Sequence, residues 1–408
     1  MPPSSPVRHG QSMLRRMNIV NMADEAATGA ALRLKLQERA RHFARTHIAT
    51  RPDLRDQTEM PADLWHALGA AGLAEIALPA EYGGAGSDLR ALAMAAEAMA
   101  ESGGNLGMVT SWMGRQLISR LHILGHGTPA QRAAYLPDLA AGRITPCLAI
   151  SEPGAGAHPK HLATTADRNG DTFVVNGEKA YLTNGPLADI FLVLAITGVE
   201  NGRKQFSVLI VPRDAPGLEL TEGVKIDYLR PSPHCGLKLR DVQVPADSLL
   251  GPEGGAFDAI SLPMRRTEDA VFAASKAGAL RHILNSISSE FSTLQENTDD
   301  LVELGNLAAA SCGLGGLASY GAELLDMEPA AHADEISAIA ASAREWAGSL
   351  NERIHALIER SGSDPSPQLA AACRDFEKSL GIARAAYAIQ ARRRGLALFE
   401  QETETTTS

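Results

Sequence analysis

A block of short β-rich runs set between two long helical tracts constrains the fold of this chain more than any other feature. From Ile144 onward "ITPCLAI", "DTFVVNGEKAYLTNG", "DIFLVLAIT", "QFSVLIVP" and "GLKLRDVQVP" follow one another, punctuated by Gly, Pro and Asn. Runs of that length with those breakers predict a small antiparallel barrel or sandwich ending near Gly251. Asn176-Gly177, between "TFVV" and "EKAYLT", has the composition of a two-residue hairpin turn.

The flanking tracts carry helix signals. In "TPAQRAAYLPDLAAG", Thr128 is a candidate N-cap, Pro129 occupies the first helical position, Gln131 completes a capping box and Gly142 supplies the stop. Ser87 precedes an alanine-rich run from Leu89 to Ala100 that ends at Gly103-Gly104. After Gly255, Phe272, Leu280, Ile283, Ile287 and Phe291 fall on one helical face, and Trp346, Leu350, Ile354 and Leu357 repeat the spacing, as bundle-core residues do. The expected division is an extension over 1–30, a helical domain over 31–143, a β-domain over 144–252, a helical bundle over 253–400 and a tail over 401–408. The first residues, with Arg8, Arg15 and Arg16 and no acid before Asp24, fit either an organelle presequence or a disordered extension; the extension is the expectation, since Met13, Met17 and Met22 offer alternative starts.

A chain of 408 residues with 45% hydrophobic and 21% charged content has the balance of a multidomain globular protein. A formal net charge of -10 argues against a nucleic-acid partner, because nothing neutralises phosphates in bulk. Arg392 to Arg394 read as a solvated helix end. Cys147, Cys235, Cys312 and Cys373 are far apart and form no metal or redox pair, which fits free thiols in a reducing, cytoplasmic setting with no metal site. No uninterrupted apolar run reaches the roughly 18 residues of a membrane span, so no membrane partner is expected.

The stretch "AISEPGAGAHPKH" (149–161) looks built to handle a cofactor, yet it lacks the spacing of the common phosphate-binding loops. Together with "LWHALGAAGLAEIALPAEYGGAG" (64–86), "HGTPAQRAAYLPDLAAG" (126–142), "ADRNGDTFVVNGEKAYLTNGPLAD" (166–189) and "LKLRDVQVPADSLLG" (237–251), it resembles the acyl-CoA dehydrogenases, in the same order and over roughly Leu64 to Gly278. The resemblance implies an N-terminal helical domain, a small β-barrel and a C-terminal four-helix bundle, with FAD as cofactor. It assigns Ser151, Tyr181 and Thr183 to the flavin ring, with Leu148 and Ile150 lining it. It further implies an acyl-CoA substrate, electron transfer to an electron-transfer flavoprotein, and assembly as a homo- or hetero-oligomer.

The chain departs from the family at several positions. "EPGAG" is followed by Ala157 and His158 where relatives carry Ser and Asp, so a donor near the phosphate and thioester-arm end is absent at Ala157. His158 and His161 read as loop-surface histidines first and as anion contacts second. "SSEFSTLQENTDD" lacks the Arg and Phe-Gly pair that relatives direct at the FAD pyrophosphate of a neighbouring subunit, and Ala383 stands near the usual catalytic Glu position. By position in the family, Glu268 on the first bundle helix is the base candidate, with Asp269 beside it. A surface pairing of Glu268 and Asp269 with Arg265 and Arg266 is an equal alternative. Two functions follow: FAD-dependent α,β-desaturation of an acyl-CoA thioester, or a catalytically silent homologue that partners a complete dehydrogenase in a heteromer. An oxygen-using branch of the same fold is a weaker third.

Overall fold

The computed structural model describes residues 28–405. Most of the extension expected over 1–30 lies outside the described residues; helix α1 already occupies 28–43. The N-terminal domain continues with α2 (Ala62–Ala70), α3 (Leu89–Gly103), α4 (Leu106–Ile118) and α5 (Pro129–Ala140). Helix α5 has the capping box expected of it, with Gln131 N donating to Thr128 Oγ1 at 3.2 Å and Thr128 N donating to Gln131 Oε1 at 2.9 Å. Helix α3 is capped by Asp88 rather than by Ser87. The Asp88 carboxylate accepts from Ala91 N at 2.8 Å and pairs with Arg33 at 2.6 Å, so one side chain caps α3 and ties it to α1.

The middle domain is a single eight-stranded sheet of order β6-β7-β3-β2-β4-β5-β8, with β1 paired to β4. The strands are β1 (Pro146–Ala149), β2 (Thr165–Asn169), β3 (Thr172–Thr183), β4 (Ile190–Glu200), β5 (Arg203–Pro212), β6 (Leu218–Thr221), β7 (His234–Pro245) and β8 (Leu249–Leu250). Pairing is antiparallel except that β1 and β2 run parallel to β4. Strand β4 is apolar on both faces for a reason: Phe191, Val193 and Ala195 enter a core enclosed by the sheet, while Leu192 and Leu194 join the core of the helical domains. The hairpin expected at Asn176-Gly177 is not there. Strand β3 runs straight through it with a bulge, and the β2–β3 hairpin instead closes at Gly170-Asp171, whose glycine belongs to the segment's other Asn-Gly pair. Gly177 serves close approach: a Cβ there would stand 2.5 Å from Thr164 Oγ1 and 2.8 Å from Thr164 Cα.

Helices α6 (Leu262–Glu290), α7 (Thr298–Asp326), α8 (Ala333–Arg360) and α9 (Pro367–Gly381) form the C-terminal bundle, followed by α10 (Arg384–Thr405). Leu280, Ile283, Ile287, Leu350, Ile354 and Leu357 are buried in it as their spacing predicts, and Trp346 packs at its edge. Helix α10 extends to Thr405, into the segment expected as a tail, because no Gly or Pro falls between Leu396 and Thr405 and Gln401, Glu402 and Glu404 are good helix formers. By length and composition α7 is apolar enough to cross a membrane, which a search for uninterrupted apolar runs does not reveal. Within the fold it is a bundle helix: Leu307, Leu314, Ala318 and Ala322 are buried, and Glu303 pairs with Arg353 of α8 at 2.8 Å. All four cysteines are free thiols, three of them buried.

Candidate functional site

Strand β1 and the end of β3 lie side by side and form a shelf. Ala180 N donates to Ser151 O at 2.9 Å, and Cys147 Sγ donates to Thr183 O at 3.3 Å. Residues 148–151 therefore run along 180–183. Cys147 and Ala149 point into the sheet core, so Leu148 and Ile150 alternate to the partly open face. The five residues assigned to the flavin ring, Leu148, Ile150, Ser151, Tyr181 and Thr183, thus lie on two adjoining segments, 148–151 and 180–183.

Tyr181 sits in the irregularity of β3 between Lys179 and Leu182 and has φ 60°, a left-handed backbone that a bulky residue rarely adopts. The bulge re-aims its side chain, which is 47% exposed on a strand whose neighbours Ala180 and Leu182 are buried. The Ser151 hydroxyl has no hydrogen-bond partner among the described residues. Beyond it, Gly154 and Gly156 have φ 73° and 56°, and no atom lies within 4 Å of where a Cβ would be, so the loop backbone is open to approach.

The loop is fixed from beneath. The Glu152 carboxylate accepts from Ala163 N at 2.7 Å, from Thr164 N at 2.9 Å and from Thr164 Oγ1 at 2.6 Å, and it pairs with Lys179 at 2.9 Å. Lys179 Nζ also donates to Ile150 O at 3.1 Å. Neither Lys179 nor His234, described below, was selected on sequence. Lys179 had a signal, a lysine at an inward register position of β3 after Phe173 and Val175; His234 had none.

Thr183 is half-buried, and its Oγ1 lies 3.0 Å from His234 Nε2 at the start of β7. His234 Nδ1 lies 3.0 Å from Ser232 O. Burial lowers the imidazole pKa, against a smaller upward pull from the Ser232 carbonyl.

The phosphate end is different. Ala157, His158 and His161 are exposed, and the two imidazoles lie 4.9 Å apart with no charged partner among the described residues. They are surface residues of the loop, and no contact joins Ala157 to the shelf among the described residues. Where relatives direct an Arg at pyrophosphate, the chain has the end of α6 and the start of α7, with Asn297 capping Asp299 and Asp300.

Glu268 stands on α6 and is half-buried, with no ion pair or hydrogen bond among the described residues. Burial pushes its carboxyl up to about 7, Arg265 pulling down and Asp269 adding upward. The surface-pair alternative divides: Asp269 pairs with Arg265 at 2.8 Å, whereas Glu268 does not pair. No hydrogen bond or ion pair joins Glu268 to the shelf among the described residues. Ala383, with φ 57°, links α9 to α10, and Arg344 holds that linker by donating to Leu380 O and, at 3.1 Å, to Ile382 O. No carboxylate is supplied from Ala383.

Two family models match the chain: the acyl-CoA dehydrogenase N-terminal domain over 33–143 and the acyl-CoA dehydrogenase middle domain over 147–242. The chain belongs to the acyl-CoA dehydrogenase family. It is 35% identical over 224 residues, 54% of this chain and 58% of the other, to the probable acyl-CoA dehydrogenase YngJ of Bacillus subtilis. The chain thus spans somewhat more than half the length of the curated relatives it matches. Butyryl-CoA dehydrogenase of Megasphaera elsdenii superposes with a TM-score of 0.80 at 21% identity, covering 90% of this chain and 98% of that one. A glutaryl-CoA dehydrogenase of Mycobacterium smegmatis, solved with FADH2, superposes at 0.75 with 23% identity, covering 86% and 90%. Those likenesses establish the expected architecture of helical domain, β-domain and helical bundle.

Proposed function

We propose that this chain is an FAD-dependent oxidoreductase of the acyl-CoA dehydrogenase type that desaturates an acyl-CoA thioester between its α and β carbons. The observation that carries the proposal is that Glu268, the base position in the family resemblance, stands half-buried on α6 with no ion pair or hydrogen bond among the described residues, while its neighbour Asp269 is held by Arg265; burial pushes the Glu268 carboxyl up to about 7. A base acts best when its pKa lies near the working pH, because it is then both ionised and basic enough to take a weakly acidic proton. Glu268 is the residue assigned to remove the α-proton. Asp269, held by Arg265, contributes charge to that environment and is not itself available as a base.

The shelf fits the ring end of FAD. Leu148 and Ile150 offer an apolar face, Tyr181 a flat cover, and Ser151 and Thr183 hydroxyls at the rim. When bound, FAD supplies the acceptor for the hydride that leaves the β carbon. The Ser151 hydroxyl would stabilise negative charge at the pyrimidine end. The substrate's thioester arm is assigned to the loop near Ala157. An electron-transfer flavoprotein as acceptor, a cytoplasmic setting and assembly as an oligomer belong to the same proposal.

A second function, as partner subunit of a heteromeric dehydrogenase, is favoured by one observation. The segment that relatives direct at the adenosine half here carries Asp299 and Asp300 and no Lys or Arg of its own, and the nearby Arg360 is engaged by the buried Asp300 at 2.7 Å. Absorption spectra of the purified protein test both. Flavin bound near stoichiometry, bleached anaerobically by an acyl-CoA and no longer bleached in Glu268→Gln, supports the enzyme. A colourless protein that co-purifies with a complete dehydrogenase supports the partner subunit. A colourless solitary protein that FAD does not reconstitute overturns the first.

A further inference from the structure

Thr183 and His234 form a pair whose hydrogen atoms can be assigned from the donors alone. Ser232 O is a carbonyl and can only accept, so the 3.0 Å contact from His234 Nδ1 places a proton on Nδ1. The ring is part-buried where the start of β7 pairs with the end of β3, and burial favours its neutral form. A neutral imidazole protonated at Nδ1 has a bare Nε2. The 3.0 Å contact between Nε2 and Thr183 Oγ1 is then donated by the Thr183 hydroxyl. The sole hydroxyl proton of Thr183 is thereby committed to the protein side, and only oxygen lone pairs remain for the open face of the shelf.

We propose that His234 is a positioning residue that turns Thr183 into a hydrogen-bond acceptor toward the ring atom it faces, so that the site favours the reduced, N–H-bearing form of the flavin. The proposal rests on the assignment of Thr183 to the flavin ring made above, where the family resemblance implies that the threonine of this strand reaches the ring's N5 atom. The chemistry is simple. The flavin N5 position carries a hydrogen only after reduction. An acceptor aimed at it therefore stabilises the reduced ring, whereas a free hydroxyl would rotate and donate to the oxidised one. Thr183 without His234 would be indifferent to the flavin's redox state; with His234 it discriminates. Cys147 Sγ occupies the Thr183 carbonyl at 3.3 Å, so the strand backbone at this point is held independently of the imidazole.

The test is a set of reduction potentials on the flavin-loaded protein, with Thr183→Val, His234→Val and the double variant. His234→Val and Thr183→Val are each expected to lower the two-electron potential by about 30 mV, a tenfold change in the oxidised-to-reduced ratio at fixed poise. The double variant should match Thr183→Val alone, because His234 acts only through the hydroxyl. Additive shifts, or no shift in His234→Val while the flavin stays bound, overturn the role of His234 and leave the proposed function standing. Failure of the wild-type protein to take up FAD overturns both. A readout independent of the cofactor is the imidazole nitrogen spectrum of the apoprotein. It should show a neutral ring protonated at Nδ1, with the Nε2 resonance moving in Thr183→Val. A ring protonated at Nε2 reverses the hydrogen bond and overturns the proposal, even where His234→Val does not fold.

Discussion

The Lys179 ammonium lies 2.9 Å from the Glu152 carboxylate, with both side chains buried beneath the loop that carries Ser151. Burial by itself would raise the Glu152 carboxyl, but hydrogen bonds from Thr164 and the Lys179 charge together hold it below its ordinary value. Burial lowers Lys179 to about 8, only partly offset by Glu152. The carboxylate gains from the pair while the ammonium loses solvation. Glu152 is the firmer of the two because neutral donors at Ala163 and Thr164 also hold it. Lys179→Met should therefore be strongly destabilising, by roughly 3–5 kcal/mol, since it leaves a buried carboxylate without its counter-charge. The double variant with Glu152→Gln should recover part of that loss. Urea midpoints measure both, and an unchanged midpoint for Lys179→Met would exclude a structural role for the pair.

Glu268 should make stability depend on pH in an unusual direction. Its folded pKa of about 7 lies above the ~4.3 of an unfolded glutamate. Between those values the folded chain holds a proton that the unfolded chain has released, so its contribution is full below about pH 4.3 and is lost as pH rises through 7. Glu268→Gln is permanently neutral. It should match the wild type near pH 4.5 and exceed it by roughly 1–3 kcal/mol at pH 8, read from denaturant midpoints at the two pH values. The same substitution should slow bleaching by acyl-CoA on the order of 10²-fold or more. A variant no more stable than wild type at pH 8 would mean that Glu268 is not desolvated.

Arg115 links the helical domain to the start of the sheet. It is 2% exposed, donates to Ala74 O at 2.7 Å, to Ile144 O at 3.2 Å and to Leu139 O, and lies 3.3 Å from Glu75. Burial pushes the Glu75 carboxyl up to about 7, against downward pulls from Arg115 and Ser119. Arg115→Met removes three donors from buried carbonyls and should cost about 3 kcal/mol or more. Arg115→Lys should recover little, because an ammonium lacks the fork that spans separate carbonyls. Thermal melts of the two variants side by side provide the measurement.

Local rules and tertiary ones were unequally legible in the sequence. The Thr128–Gln131 box needs only four consecutive residues, and it formed as its spacing predicts. Of the two Asn-Gly pairs of the β2–β3 region, Asn169-Gly170 stands at the turn, with Asn169 ending β2 and Gly170 opening the turn, while Gly177 stays within β3 where the backbone meets Thr164. The shelf residues were assigned through motif order, and the β1–β3 contact brings the two segments that carry them side by side. His234 was missed because it lies far along the chain from Thr183 and joins it only through pairing of β3 with β7. Asp269 and Glu268 are neighbours in sequence and differ in fate, since adjacent helical positions point about 100° apart. Only the packing of Arg265 decides which of them is paired.

Tyr181 should reveal a conflict between stability and ligand binding. Its φ of 60° costs on the order of 1–2 kcal/mol for a residue with a Cβ, and Gly escapes that cost while losing about 0.5–1 kcal/mol in chain entropy. Tyr181→Gly should thus stabilise the chain by up to ~1 kcal/mol. Loss of the exposed ring should weaken flavin binding by roughly threefold to tenfold, the worth of an aromatic contact. Tyr181→Ala separates the two effects, because it removes the ring but keeps a Cβ in the left-handed region. Its flavin affinity should fall as far as that of Tyr181→Gly, without the gain in stability. Flavin-fluorescence titration and urea unfolding of the three proteins decide the matter. Equal stability of the Gly and Ala variants would show that the bulge carries no strain, and undiminished affinity in both would remove Tyr181 from the ring site.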